Sequence, residues 1–191
     1  MTNKILTTLA VLSLTCIFIS CGGDTQSQQT KLAESAQTEQ TVLPDAITFT
    51  VKDTKGVIRS SSEWIGKQPV VLNIWGTWCP PCRAEIPDFV KAYETYSKKG
   101  VEILGIAVKD TPEKVLAFAE QNNMKWQMML FSSDELIKRF NIQAVPTTIF
   151  IDRNGNVMEI FNPYTKEMAE TFSGPMSYEM FTKNLDSLLT I

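Results

Sequence analysis

Two periodicities alternate along this chain. Residues 70–75 (VVLNIW) are apolar at every position but Asn73 and rich in β-formers, as in a strand buried on both faces. Residues 83–98 place Ile86, Phe89, Val90 and Tyr93 three and four apart, which predicts an amphipathic helix. Pro87 lies inside it, but the apolar spacing runs on to Tyr93. The proline therefore costs the bond to the Arg83 carbonyl and bends the axis without ending the helix. Residues 101–108 (VEILGIAV) read as a second buried strand. Thr111-Pro112-Glu113 signals a helix start, with Val115, Phe118 and Ala119 on the inner face. An apolar strand is expected over 126–131, then Ser133 capping a short helix over 134–140. Residues 147–151 and 157–161 read as two strands joined by Asp152-Arg153-Asn154-Gly155, a hairpin signal. A terminal helix over 177–189 turns Met180, Phe181, Leu185 and Leu188 inward. Upstream, 46–51 alternates like a half-buried strand, Lys55-Gly56 makes a turn, and Val57-Ile58 pair back as a hairpin before a helical turn at 62–65. Residues 162–176 show no clear period and read as a longer loop or a small insertion.

The first forty residues follow neither pattern. Lys4 gives a short positive start, and 5–19 is an apolar run broken by Thr and Ser. It is too short and too hydroxyl-rich for a membrane span and reads as an export signal. Phe18-Ile19-Ser20-Cys21 resembles a bacterial lipoprotein signal, with Phe18 in place of the usual Leu. That resemblance implies cleavage before Cys21 and lipidation of its thiol; the alternative is an ordinary signal peptide with an incidental cysteine. An Asp after the lipidated cysteine retains enterobacterial lipoproteins at the inner membrane. Gly22 stands there instead, which points to outer-membrane sorting. Residues 22–41 hold no aromatic side chain and only Leu32 as a large aliphatic, too little to bury. As a coil they span roughly 25 Å, a tether that holds a domain clear of headgroups. The expected organisation is a signal at 1–20, a lipidated cysteine and tether at 21–41, and one folded domain at 42–191.

Composition narrows the possibilities. The chain is 43% hydrophobic and 20% charged over 191 residues, which suits one globular domain beyond the tether. Its net charge is −3, or −3 − 1 = −4 once Lys4 leaves with the signal, and no basic run suggests a nucleic acid. Of four cysteines, Cys16 and Cys21 belong to the N-terminal segment. Cys79 and Cys82 are the remaining thiols, so no structural disulfide can form in the domain without consuming them.

Those two cysteines lie in Trp75-Gly76-Thr77-Trp78-Cys79-Pro80-Pro81-Cys82, between the strand at 70–75 and the following helix. With Cys79 as N-cap, Pro80 and Pro81 take the first two helical positions, where a missing N–H costs little. The Cys82 N–H then points back toward the Cys79 sulfur. A helix N-terminus stabilises an anion, so Cys79 is the sulfur expected to ionise and attack. Three chemistries compete. A structural disulfide usually closes a longer loop. A zinc half-site lacks partners, since the other cysteines are N-terminal and the chain has no histidine. A redox dithiol at a strand–helix junction fits best. The missing histidine, with Arg83 after Cys82, also excludes a haem attachment.

WCPPC after a VVLNIW strand, followed by Ala144-Val145-Pro146-Thr147, resembles the thioredoxin-like proteins of the TlpA/ResA group, which are extracytoplasmic thiol–disulfide oxidoreductases. The likeness runs from about residue 43 to the C-terminus and weakens after Phe161. It implies an α/β fold with a central mixed sheet flanked by helices, an N-terminal hairpin and a β-α-β insertion. Cys79 becomes an exposed nucleophile, and Cys82 a buried residue that resolves the mixed disulfide. Trp78 covers the site and contacts the partner, beside Pro80 and Pro81, while Trp75 is packing. With two prolines between the cysteines, only a moderate lowering of the Cys79 pKa is expected, hence a reducing or intermediate potential. The resemblance makes Pro146 a cis proline facing the disulfide and exposes the Val145 backbone to a partner's extended segment. Thioredoxin itself carries a buried acid six residues before the first cysteine. Here that residue is Asn73, which cannot take a proton. Glu85 occupies the place of the helix glutamate of ResA-like reductases, a catalytic role that competes with that of an ordinary first-turn acid.

The function so implied is a membrane-tethered oxidoreductase of the cell envelope, on the periplasmic side. It would reduce disulfides of exported proteins, apocytochromes c among them, as a monomer with no cofactor or metal beyond the cysteine pair. A membrane reductant would have to resupply it. Two other classes remain. A Sco-type copper carrier needs a histidine beside the cysteines. A thiol peroxidase presents Thr and Pro ahead of a single peroxidatic cysteine, and Thr77-Trp78-Cys79 has neither that spacing nor the proline.

Overall fold

The computed structural model describes residues 47–132 and 134–191. The signal, Cys21, the tether, the domain start at Val42 and the Ser133 cap lie outside the described residues. The strands are β1 (Thr50–Asp53), β2 (Ile58–Ser60), β3 (Val70–Trp75), β4 (Glu102–Ala107), β5 (Gln127–Phe131), β6 (Thr147–Ile151), β7 (Ile160–Asn162), β8 (Glu167–Ala169) and β9 (Phe172–Ser173). The helices are α1 (Pro80–Tyr96), α2 (Pro112–Gln121), α3 (Glu135–Phe140) and α4 (Tyr178–Thr190). None is long and apolar enough to cross a membrane.

Seven strands form one mixed sheet in the order β2-β1-β5-β4-β3-β6-β9. β3, β4 and β5 run parallel, and the other pairings are antiparallel. Each parallel connection carries a helix, which covers strands whose apolar residues point both ways. On β3, Val71 and Trp75 join the cluster beneath α1, α2 and α4, whereas Val70, Leu72 and Ile74 pack with Phe49, Trp64, Leu136 and Phe140 on the other face. Phe89 of α1 stacks on Phe181 of α4 at 3.8 Å between ring centres.

Helix starts follow the sequence signals. Cys79, Thr111 and Ser177 each cap a helix through a side chain that accepts a backbone N–H, and α1 continues through Pro87. Asp134 precedes α3 without such a bond. Gly105 in mid-β4 marks a close approach: a Cβ there would stand 3.0 Å from the Trp126 indole nitrogen and 3.2 Å from that of Trp75.

The C-terminal third departs from expectation. The Asp152 turn forms, its carboxylate accepting the Asn154 and Asn156 N–H groups. But the expected return strand at 157–161 pairs with β6 only through a bridge from Val157 to Ile151. Beyond that bridge, β9 occupies the same edge, with Thr148 opposite Phe172 and Thr147 opposite Ser173. The chain is displaced from the sheet, and Ile160–Asn162 pairs with Glu167–Ala169 in a separate hairpin. Residues 162–176 are thus an insertion: a hairpin followed by a short strand that rejoins the sheet.

Candidate active site

β3 ends at Trp75 and α1 begins at Pro80, so the connecting loop sits at the C-terminal end of the parallel strands. Two anchors hold it. The Thr77 backbone N–H and hydroxyl donate to the Asp110 carboxylate at 2.7 and 3.0 Å, and the Trp78 indole N–H donates to the Val108 carbonyl at 3.0 Å. Trp78 folds back over Gly76, where a Cβ would stand 2.6 Å from the indole nitrogen. Glycine at 76 is therefore a condition for that indole position.

Cys79 and Cys82 form a disulfide, with Cα atoms 5.3 Å apart. The Cys82 N–H donates to the Cys79 sulfur at 3.3 Å, as the N-cap geometry predicts. Pro80 and Pro81 are exposed, and Trp78 is 52% exposed. The expected exposure of Cys79 is not found: the residue is 2% exposed, against 0% for Cys82. Its sulfur turns inward to the disulfide and lies 3.6 Å from the Val145 carbonyl oxygen, under the loop that carries Pro146. The Val145–Pro146 bond is cis. Trp78, Val108, Ile137, Ile142 and Val145 line an apolar groove of about 300 Å³ beside this loop. A larger, polar depression of about 720 Å³ lies between α1 and α2, lined by Arg83, Lys114 and Gln121; neither cysteine lines it.

Glu85 is 1% exposed, on the inner side of the first turns of α1. Its Oε1 accepts the Asn73 side-chain N–H at 2.9 Å, and its Oε2 accepts the Met176 backbone N–H at 3.1 Å. Loss of water pushes its carboxyl up to about 7, against the opposing pull of these two bonds. The alternative of a first-turn acid complementing the helix dipole fails: the first turn of α1 holds no acid, and Glu85, further along, is buried. Asn73 meets it because β3 alternates: residues 71, 73 and 75 face α1, and Asn73 is the polar member of that set.

Three contributors escaped sequence reasoning. The Met176 N–H arrives from the insertion, whose register no pattern indicated. Asp110 and Val108 lie beyond the end of β4 and carry no motif. The Asn73 contact was legible in principle, because one polar residue on the inner parity of an apolar strand needs a buried partner.

Residues 42–160 match the AhpC/TSA family. The thiol-disulfide oxidoreductase ResA of Geobacillus kaustophilus is 34% identical over 140 residues, 73% of this chain and 74% of that one. Its namesake from Bacillus cereus is 34% identical over 139 residues, 72% of this chain and 80% of the relative. Among solved structures, a thiol:disulfide interchange protein of the thioredoxin family from Chlorobium tepidum has a TM-score of 0.61 and 31% identity, covering 75% of this chain and 94% of that one. StoA from Bacillus subtilis has a TM-score of 0.54 and 25% identity, covering 72% and 96%. The chain belongs to the thioredoxin-like AhpC/TSA family and is a thiol–disulfide oxidoreductase.

Proposed function

We propose that this family member works by dithiol–disulfide exchange at Cys79 and Cys82, from a lipid anchor at Cys21, on disulfides of exported proteins. The observation that carries the reading is the Cys82 N–H aimed at the Cys79 sulfur at a helix start, with a buried, hydrogen-bonded carboxyl on the same helix. In the reduced enzyme the Cys79 thiolate attacks one sulfur of a substrate disulfide. An S–S bond forms to Cys79, and the substrate's other sulfur leaves as a thiolate that takes up a proton. Cys82 then gives its proton to Glu85 and attacks the Cys79 sulfur. The enzyme disulfide closes, the second substrate thiolate leaves, and two electrons have passed to the substrate. A membrane-borne dithiol reductant reverses the enzyme's half of the reaction.

The apolar groove between Trp78 and Val145 is where an extended substrate segment would lie, next to the Val145 carbonyl. Apocytochromes c, with paired cysteines, are one class of exported protein that fits. The export signal and the Ser20-Cys21 junction support location in the cell envelope, on the periplasmic side, and Gly22 favours the outer membrane.

Trapping tests the reading. Cys82→Ala should hold substrates as mixed disulfides on Cys79, and the purified domain should accelerate insulin reduction by dithiothreitol. Peroxide consumption without insulin reduction would favour a thiol peroxidase instead. Cys21→Ser should release the protein from membranes with its redox chemistry intact; retention after alkaline extraction would sink the lipid anchor.

A further inference from the structure

Asn73 is the polar residue of an otherwise apolar strand, and it is fully buried. One end of its amide is occupied. Nδ2 donates to Glu85 Oε1 at 2.9 Å and faces the Thr148 hydroxyl oxygen at 3.5 Å, across the β3–β6 pairing that sets Asn73 opposite Thr148. The other end, Oδ1, is buried with no hydrogen-bond partner among the described residues. An orphaned buried acceptor is costly, so its place in a core calls for a reason.

Both Glu85 oxygens accept hydrogen bonds, an arrangement made for the ionised carboxylate. A protonated carboxyl needs an acceptor for its O–H. The Met176 N–H cannot serve, and neither can Asn73 Nδ2. Asn73 Oδ1 can, after half a turn about the last side-chain torsion, which is a broad, nearly two-fold rotor. Oδ1 then faces both Glu85 and Thr148, and the Thr148 hydroxyl can rotate to donate where it had accepted. One amide end lacks a partner among the described residues in either orientation, Oδ1 beside the carboxylate and Nδ2 beside the carboxyl.

We propose that Asn73 is a positioning residue that serves Glu85 in both protonation states, donating to the carboxylate and, with its amide turned over, accepting from the carboxyl. The proton then resides on Oε1, while Oε2 keeps the Met176 N–H throughout. The proposal rests on the role of Glu85 as proton acceptor from Cys82. It explains how a buried carboxyl can gain and lose a proton and find a side-chain partner in both states. From neighbouring elements the carboxyl is met by Asn73 and by the Met176 N–H, and neither titrates. Along α1 the titratable neighbours are Cys82, held in the disulfide, and Asp88, whose carboxylate accepts the Tyr178 N–H.

The test uses the oxidised domain, in which neither cysteine titrates, with asparagine side chains labelled for NMR. Across the Glu85 midpoint near 7, the Asn73 amide protons should titrate together with the Glu85 carboxyl carbon. The carboxylate-bonded signal should appear only on the alkaline side. An Asn73 amide that stays in one state while Glu85 titrates overturns the inference. Asn73→Leu removes both bonds. The charge-assisted one is the stronger, so the Glu85 midpoint should rise by roughly half to one pH unit. The acid limb of the turnover profile should move with it, at unchanged KM. Asn73→Asp, acceptor-only and like-charged, should raise the midpoint further; a midpoint unmoved in both variants also overturns the inference. The two failures are separable, because full turnover in Glu85→Gln would remove the role of Glu85 without touching the behaviour of the amide.

Discussion

Glu85 and Glu102 are both acids whose carboxyl pKa is raised above the ordinary value by loss of water. They sit at different heights along the parallel strands. Glu102 opens β4, opposite Val70, whereas Glu85, three residues after Cys82 on α1, bonds Asn73 at mid-β3, opposite Gly105. Glu102 is half-buried, with one carboxyl oxygen unpartnered among the described residues, near Tyr93. Glu85 is wholly buried, with both oxygens bonded by groups from two other segments of the chain. Burial perturbs both acids alike. Placement beside the dithiol and a built set of donors distinguish the one proposed to move protons.

Substitution should separate them most sharply in turnover. Glu85→Gln keeps the shape and removes the base, and disulfide reduction should slow by about a hundredfold, the lower part of the range for general-base loss. Glu102→Gln should leave turnover within about twofold. Equal losses in the insulin assay would mean that charge, not position, matters.

Stability against pH comes next. Between 4.5 and about 7 the folded state binds a proton at Glu85 that the unfolded chain has lost. Stability is therefore highest below the unfolded value and falls as pH rises to the folded one. The shift corresponds to at most roughly 3 kcal/mol. Urea unfolding of the oxidised domain from acid to neutral pH should show this decline, and Glu85→Gln should flatten it. Glu102→Gln should remove a smaller part in the same direction. A wild-type curve that rises over that window would contradict a carboxyl whose burial outweighs its two hydrogen bonds.

In the reduced protein, Glu85→Gln should lower the Cys82 pKa, because ionised Glu85 disfavours a second negative charge on the same helix face. Glu102→Gln should leave the thiolate titration where it was. A Cys82 midpoint insensitive to both would confine Glu85 to packing.

The smallest effect concerns salt. Neither acid owes its shift to a neighbouring charge, so higher ionic strength should barely move either midpoint. Asp53, lowered in part by Arg59 and Lys55, should drift upward under the same treatment. A salt-dependent Glu85 would reveal a charged neighbour.

Much of the arrangement was legible in the chain itself. A helix cap is a local structure, so Cys79, Pro80, Pro81 and the Cys82 N–H were readable from eight consecutive residues. The thioredoxin-like resemblance supplied the pairing of that motif with Pro146 and the place of Glu85 on the helix. The accessibility of Cys79 was misjudged because it depends on Val145, a residue 66 positions away, whose carbonyl overhangs the sulfur. The strand expected at 157–161 failed for a similar reason. Its turn signal was real, but an edge can be paired only once, and β9 held it.

By itself the sequence determined what local physics determines: the buried parallel strands, the capped helices and the cysteine pair at a strand–helix junction. Tertiary structure alone decided what meets Glu85. The spacing of Glu85 three residues after Cys82 already places it on the inward face of the helix, where a desolvated carboxyl with a raised pKa is expected, and the structure bears this out. The groups that bond it arrive from elsewhere, Asn73 across the sheet–helix interface and Met176 from an insertion with no period of its own. How complete the desolvation is, and which donors oppose it, depend on the packing of distant segments, and these came into view only once the chain was folded.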